Sequence, residues 1–363
     1  MNRTRARQLG ISPGRLPPGP LNAITDVAGV RVGHVTLNEG DGSRAVRTGV
    51  TAILPHEGNP YRQKVMAAVH TVNGYGKAIG FEQVRELGQI ESPIGLTNTA
   101  SVGLVADGLI AWTMKHNPQA RSVNVVVGEC NDGYLNDIRG QHVRREHVWQ
   151  AVEAAAPGPV AEGNVGAGTG MRCFGFKGGV GTASRRLEGG QGGFTVGGLV
   201  VANFGQRELL RVDGVPVGRH LADWTGAPPE PGISVDEGSI MMVVATDAPL
   251  TSRQLLRVAK RAGLGLARTG TAGGHQSGDF VIAFSTANRT PLVTRRLTRH
   301  VEALVETGEA LNSLFQAAVE AIEEAILNAL CMAETTIGRD GHVVHALPLE
   351  VVARKLARGQ HCE

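Results

Sequence analysis

The sequence predicts an α/β protein of four layers, an αββα sandwich in which two sheets lie face to face with helices outside each. Three observations lead there: short β-branched runs apolar on both faces, segments with apolar residues at three- and four-residue spacing, and no long linker, internal repeat or low-complexity tract in 363 residues. A strand apolar on both faces needs cover on both sides. Amphipathic helices supply the outer cover, and a chain of this length can bury one large core as a single domain.

Residues 1–22 are basic at the start and then rich in Pro and Gly (Gly14-Arg15-Leu16-Pro17-Pro18-Gly19-Pro20), so they are expected as an arm, with the domain occupying 23–363 and order beginning near Ile24. Strands are predicted at Val27–Val35, Gly49–Leu54, Val65–Val72, Ser122–Val127, Phe194–Ala202, Ile240–Thr246 and Phe280–Ser285. Helices are predicted at Val102–Met114, with Thr99 or Ser101 as cap, and at His147–Ala155 and Ser252–Ala262. From Val301 to Cys331 the apolar stripe Leu304, Leu311, Leu314, Phe315, Ala318, Ile322, Ile326, Leu330 predicts two helices broken near Gly308, buried internally or at an interface between copies.

The formal charge is +3 with both signs interspersed, which leaves no electrostatic footprint for nucleic acid or an anionic membrane. No apolar run reaches the length of a bilayer span, and the start Met1-Asn2-Arg3-Thr4-Arg5-Ala6-Arg7 has no apolar signal segment, so a cytoplasmic protein is the expectation. Cys130, Cys173, Cys331 and Cys362 form no C-x-x-C pair and are expected as free thiols. Glycine numbers 50 and occurs in clusters, the mark of tight turns and close backbone approaches.

Several motifs lack their context. Gly10-Ile11-Ser12-Pro13-Gly14 spells a nucleophile elbow, but a basic arm precedes it and prolines follow, where that motif requires a strand and a helix. Gly166-Ala167-Gly168-Thr169-Gly170 and Lys177-Gly178-Gly179-Val180-Gly181-Thr182 resemble phosphate cradles without the P-loop spacing, and read as tight turns. His342 and His345 offer no third metal ligand. No cofactor or metal is expected.

The segment from Asp236 through Gly238-Ser239 into Ile240–Thr246 has another layout: an acidic turn, a Gly-Ser step, then a buried-type strand opening at the serine. Cutting before Ser239 would leave its hydroxyl beside a free α-amine with an ordinary pKa of about 7.7 to 8.0, able to act as the base. The same hydroxyl can make the cut by attacking the Gly238 carbonyl. On spacing alone a Gly-Ser step also suits an ordinary turn into a strand. A second cluster, Gly273-Gly274-His275-Gln276-Ser277-Gly278-Asp279, runs into the strand at Phe280. Ser277 and Asp279, two apart, share a face of an extended segment and could orient the Ser239 hydroxyl and amine, though an Asp capping a turn fits the same spacing.

With these residues in view the chain resembles the L-aminopeptidase/D-esterase and β-peptidyl aminopeptidase family, relatives of ornithine acetyltransferase. The likeness runs through 22–34, Gly128-Glu129-Cys130-Asn131-Asp132-Gly133, 162–170, Val201-Ala202-Asn203-Phe204-Gly205 and both clusters above. It implies an N-terminal-nucleophile-like αββα fold with its own connectivity, autoproteolysis into chains 1–238 and 239–363, and release of N-terminal residues from small peptides, amides or esters; whether D- or β-residues are among them is left to the shape of the pocket. It also implies oligomers of αβ heterodimers. Ser239 takes the nucleophile role with Ser277 and Asp279 in support; Asn203 takes the oxyanion donor, Glu129 the anchor of the substrate ammonium, and Tyr134 a place in the same pocket. The β-peptidase branch carries Glu where this chain has Asp279. Ornithine acetyltransferases cut before Thr, so Ser239 favours hydrolysis over acetyl transfer.

Overall fold

The computed structural model describes residues 2–221, 224, 237–306 and 308–359. Asp236, expected in the turn before Ser239, and Cys362 lie outside them. The strands are β1 (Arg31–Glu39), β2 (Val46–Leu54), β3 (Gln63–Gly74), β4 (Ala78–Ile79), β5 (Gln89–Ile90), β6 (Ile94–Asn98), β7 (Val126–Cys130), β8 (Arg172–Cys173), β9 (Phe176–Lys177), β10 (Gly179–Arg186), β11 (Thr195–Asn203), β12 (Glu237–Thr246), β13 (Gln276–Pro291), β14 (Thr336–Ile337) and β15 (Val343–Val344). The helices are α1 (Phe81–Leu87), α2 (Val102–His116), α3 (Arg145–Glu153), α4 (Ser252–Arg268), α5 (Glu309–Met332) and α6 (Leu349–Gly359).

Two sheets carry the fold, in strand orders β1-β2-β6-β7-β4 and β10-β11-β12-β13-β3-β5. Three apolar layers match the four-layer expectation. Val50, Ala52 and Val127 of the first sheet pack on Val105, Leu109 and Val148 of α2 and α3. Ile53, Leu96 and Val126 meet Leu199, Met241 and Ile282 between the sheets. Ile240, Met242 and Val281 on the outer face of the second sheet pack on Val258, Ala262, Leu314 and Ile322 of α4 and α5. Alternation along β12 thus sends successive residues into different layers, which is why its whole run is apolar.

The late stripe folds differently from its expectation. α5 is one helix opening after Gly308, and 301–306 lie outside it, with Val301 and Val305 exposed. So short a segment, exposing both valines, buries too little to offset helix nucleation. α5 itself is internal to the chain, covered by the second sheet and α4. The strand expected at Ser122–Val127 is Val126–Cys130, because Glu129 is buried within it, against the usual preference of carboxylates. Of the turn expected at 177–182, Lys177 closes β9, Gly178 makes the break and Gly179–Thr182 open β10. A β-carbon at Gly181 would lie 2.0 Å from the Ala325 carbonyl, so the glycine is there to let α5 approach the strand.

The arm also departs from its expectation, since it is packed. Ala6 and Ile11 are buried, Ala6–Leu9 form a 3-10 turn, and Gly10 ends that turn at φ +80°, so no strand and helix frame Ser12. Arg7 Nε donates to Glu324 at 2.8 Å, Arg5 pairs with Glu162 at 2.8 Å, and the Leu16 N–H donates to Glu320 at 3.0 Å. Glu320 and Glu324 also hold the fully buried Arg185, at 3.0 and 2.8 Å. The carboxylates that neutralise these arginines lie 317 residues from Arg7, 157 from Arg5 and 135 from Arg185 along the chain, beyond the reach of local composition.

Candidate active site

β12 sits inside the second sheet, antiparallel to β11 and parallel to β13. Register places Ser239 opposite Asn203 on one side and Gly278 on the other, with Gly238 beside Ser277 and Ile240 beside Asp279. Four residues singled out in the sequence therefore meet at one end of three adjacent strands. Ser239 is 5% exposed, and its hydroxyl donates to the Gly238 carbonyl oxygen at 2.6 Å. Gly238 has little room beside it: a β-carbon would stand 3.0 Å from Phe204 Cα and 3.2 Å from the Asn203 oxygen.

Ser277 donates its hydroxyl to Asp279 Oδ1 at 2.6 Å, and both are buried. They share a face, as the spacing predicts. That face is the helix side, with Val281 and Ala283, whereas the pleat sends Ser239 with Met241 and Val243 toward the other sheet. Among the described residues neither side chain is hydrogen-bonded to the Ser239 hydroxyl. The Asp279 carboxyl instead meets the backbone of β12 at Ile240, one residue past Ser239. Burial raises the pKa of Asp279, and the hydrogen bonds from Ser277 and Ile240 work the other way.

Glu129 comes from the facing sheet. β7 lies tight against β12, since a β-carbon on Gly128 would be 2.1 Å from Met241 Cε, and Cys130 Sγ donates to the Val201 carbonyl at 3.4 Å. The buried Glu129 carboxylate accepts from the Lys77 N–H at 3.0 Å and from the Thr99 hydroxyl. Gly76 bridges it to the serine's neighbourhood: a β-carbon there would be 3.3 Å from Glu129 Oε1 and 3.2 Å from Gly278 Cα, and Gly278 is the partner of Ser239. Lys77 carries no signal in the sequence because it acts through a backbone N–H, and Thr99, expected as a cap of α2, gives its hydroxyl to Glu129 instead.

Asn203 is held at both ends. Its Oδ1 accepts from the Arg172 N–H at 2.8 Å, and its Nδ2 donates to the Asn131 carbonyl at 2.9 Å. Tyr134, three residues after Asn131, is half-buried; His342 stacks on its ring at 4.4 Å and the Arg172 guanidinium lies over it at 4.1 Å. His345 packs instead against Trp224, so the two histidines diverge. Cys130, Cys173 and Cys331 are free and buried. Among the described residues no helix is long and apolar enough to cross a membrane.

Comparison with known proteins agrees with this geometry. The profile of peptidase family S58 matches residues 22–344. The chain is 45% identical, over 98% of its length and 93% of the relative's, to the β-peptidyl aminopeptidase BapA of Sphingosinicella microcystinivorans. A solved structure of a Pyrococcus horikoshii OT3 protein is 50% identical with a TM-score of 0.92, covering 98% of this chain and 99% of that one. The L-aminopeptidase D-Ala-esterase/amidase of Ochrobactrum anthropi, described as a variant among the Ntn hydrolase folds, is 42% identical with a TM-score of 0.90 over the same shares. The likeness runs end to end: the chain belongs to peptidase family S58, and it is an aminopeptidase with a variant of the Ntn-hydrolase fold.

Proposed function

We propose that the chain cuts its own Gly238-Ser239 bond and that Ser239, as the new N-terminus, then removes N-terminal residues from small peptides, amides or esters. The observation that carries this is the Ser239 hydroxyl lying 2.6 Å from the oxygen of the peptide bond to be cut. Its oxygen attacks the Gly238 carbonyl carbon, the C–N bond breaks, and the amine leaves with the proton. Water then hydrolyses the Gly238–Ser239 ester, giving a carboxylate on Gly238 and a free hydroxyl and α-amine on Ser239.

In turnover the α-amine takes the hydroxyl proton as Oγ attacks the substrate carbonyl, then returns it to the leaving amine; water releases the acyl group by the same route. Asp279, held by the Ser277 hydroxyl and meeting the backbone at Ile240 beside that amine, orients it. Asn203, opposite Ser239, gives its N–H to the developing oxyanion, and Glu129 takes the substrate ammonium. Tyr134 borders the same pocket. Gly76, next to the Lys77 N–H that Glu129 accepts from, also lines a cavity of about 370 Å³ with Phe81 and Phe280, enough for a small side chain.

β-Peptides are the substrate class we favour, on the 45% identity to a β-peptidyl aminopeptidase. Assembly as an oligomer of cut pairs is supported by exposed Val293, Leu297 and Val305 beyond β13. The deciding experiment is the intact mass under denaturing conditions with N-terminal sequencing. Two chains, the smaller starting Ser239-Ile240-Met241, support the reading; one chain that stays at 38.1 kDa after long incubation overturns it.

A further inference from the structure

We propose that Lys177 and Asp132 are positioning residues for this reaction, fixing the Asn203 carboxamide opposite Ser239 through the turn at Gly168–Gly170. The inference rests on the reading of Asn203 as oxyanion donor. Both side chains are fully buried and neither belongs to the constellation described above. Lys177 Nζ donates to the carbonyls of Gly168 at 3.0 Å and Gly178 at 2.9 Å. Asp132 closes the other side of the turn, since a β-carbon on Gly170 would be 2.8 Å from Asp132 Cβ, and its Oδ1 accepts from Asn136 at 3.0 Å. Both glycine clusters that resemble phosphate cradles in the sequence thus come together around one ammonium.

The two grips on Asn203 end on this pair. Arg172, whose N–H holds Asn203 Oδ1, is the register partner of Lys177 in the β8–β9 hairpin. Asn131, whose carbonyl holds Asn203 Nδ2, directly precedes Asp132. The Phe174 N–H ties the same hairpin to the Phe204 carbonyl at 2.7 Å, one residue past Asn203. An ammonium so deep is costly unless hydrogen bonds satisfy it, and here they go to the carbonyls of Gly168 and Gly178, which flank Arg172 in the chain. Burial pushes Lys177 down to about 7, opposed by the charge of Asp132, and burial pushes Asp132 up to about 7.

The test is a double-mutant cycle between Asp132→Asn, which removes the charge but keeps an acceptor for Asn136, and Asn203→Ala. Self-cleavage rate and turnover per cleaved chain are read for each, with Lys177→Met as a second entry to the cycle and thermal unfolding to confirm folding. A residue acting through Asn203 should lower kcat about tenfold or more with KM within about twofold, and have less than about a twofold effect once Asn203 is alanine. An undiminished effect in the Asn203→Ala background, or no effect in the native one, overturns the positioning role. Unchanged rates for Asn203→Ala alone overturn the oxyanion reading itself, a separate and recognisable result.

Discussion

Ser239 and Asn203 are register partners on β12 and β11, so the proposed nucleophile and the amide proposed to meet its oxyanion are set by one antiparallel ladder. In the uncut chain that amide is bonded to the Asn131 carbonyl. Truncating it to Asn203→Ala should cut turnover by roughly a hundredfold or more, the usual cost of losing one oxyanion donor. Steady-state kinetics on an aminoacyl amide check this, and an unaltered kcat would assign Asn203 to structure alone.

Gly238 is the residue most exposed to steric change at the scissile bond. Gly238→Val brings a branched side chain against the Phe204 backbone, where even a β-carbon would be only 3.0 Å from Cα. Self-cleavage should slow about tenfold or more, because a small displacement of attacking and attacked atoms costs heavily. The time course of intact mass after refolding reads the effect; cleavage at the native rate would show that the site tolerates bulk.

Glu129→Gln removes the charge and preserves the acceptor for the Lys77 N–H. A charge-assisted hydrogen bond contributes about 1.5–3 kcal/mol, so kcat/KM for substrates with a free ammonium should fall by about ten- to a hundredfold. Self-cleavage, which involves no substrate ammonium, should continue. Equal loss in both reactions would point to a folding role for Glu129.

His34 predicts an acid-side stability loss. Burial pushes its pKa from 6.5 down to about 4, and its buried Nε2 has no hydrogen-bond partner among the described residues. As pH falls below 6.5 the unfolded chain binds a proton that the folded chain refuses until about 4. Stability from this group is therefore whole above the unfolded value and is lost as pH drops toward the folded one, by about 3 kcal/mol at most. Denaturant melts at neutral pH and near the folded pKa should show a shallower loss for His34→Gln; identical pH dependence in both proteins would refute it.

Much of the machinery was legible along the chain. Four layers followed from strands apolar on both faces, the place of Ser239 at the start of a buried strand from the apolar run after it, and the shared face of Ser277 and Asp279 from their spacing of two. Local rules suffice there because alternation and turn chemistry act over a few residues. Tertiary structure alone decided the rest. Asp279 reaches the backbone at Ile240 and leaves the Ser239 hydroxyl to the other face, a matter of parallel register. Arg5 and Arg7 of the arm are pinned by Glu162 and Glu324, Arg185 is buried against Glu320 and Glu324, and Lys177 is buried within the field of Asp132, because burial of a charge depends on partners the fold brings from far along the sequence. A charge looks solvated in any local window; only packing shows which ones have been taken out of water, and what compensates them.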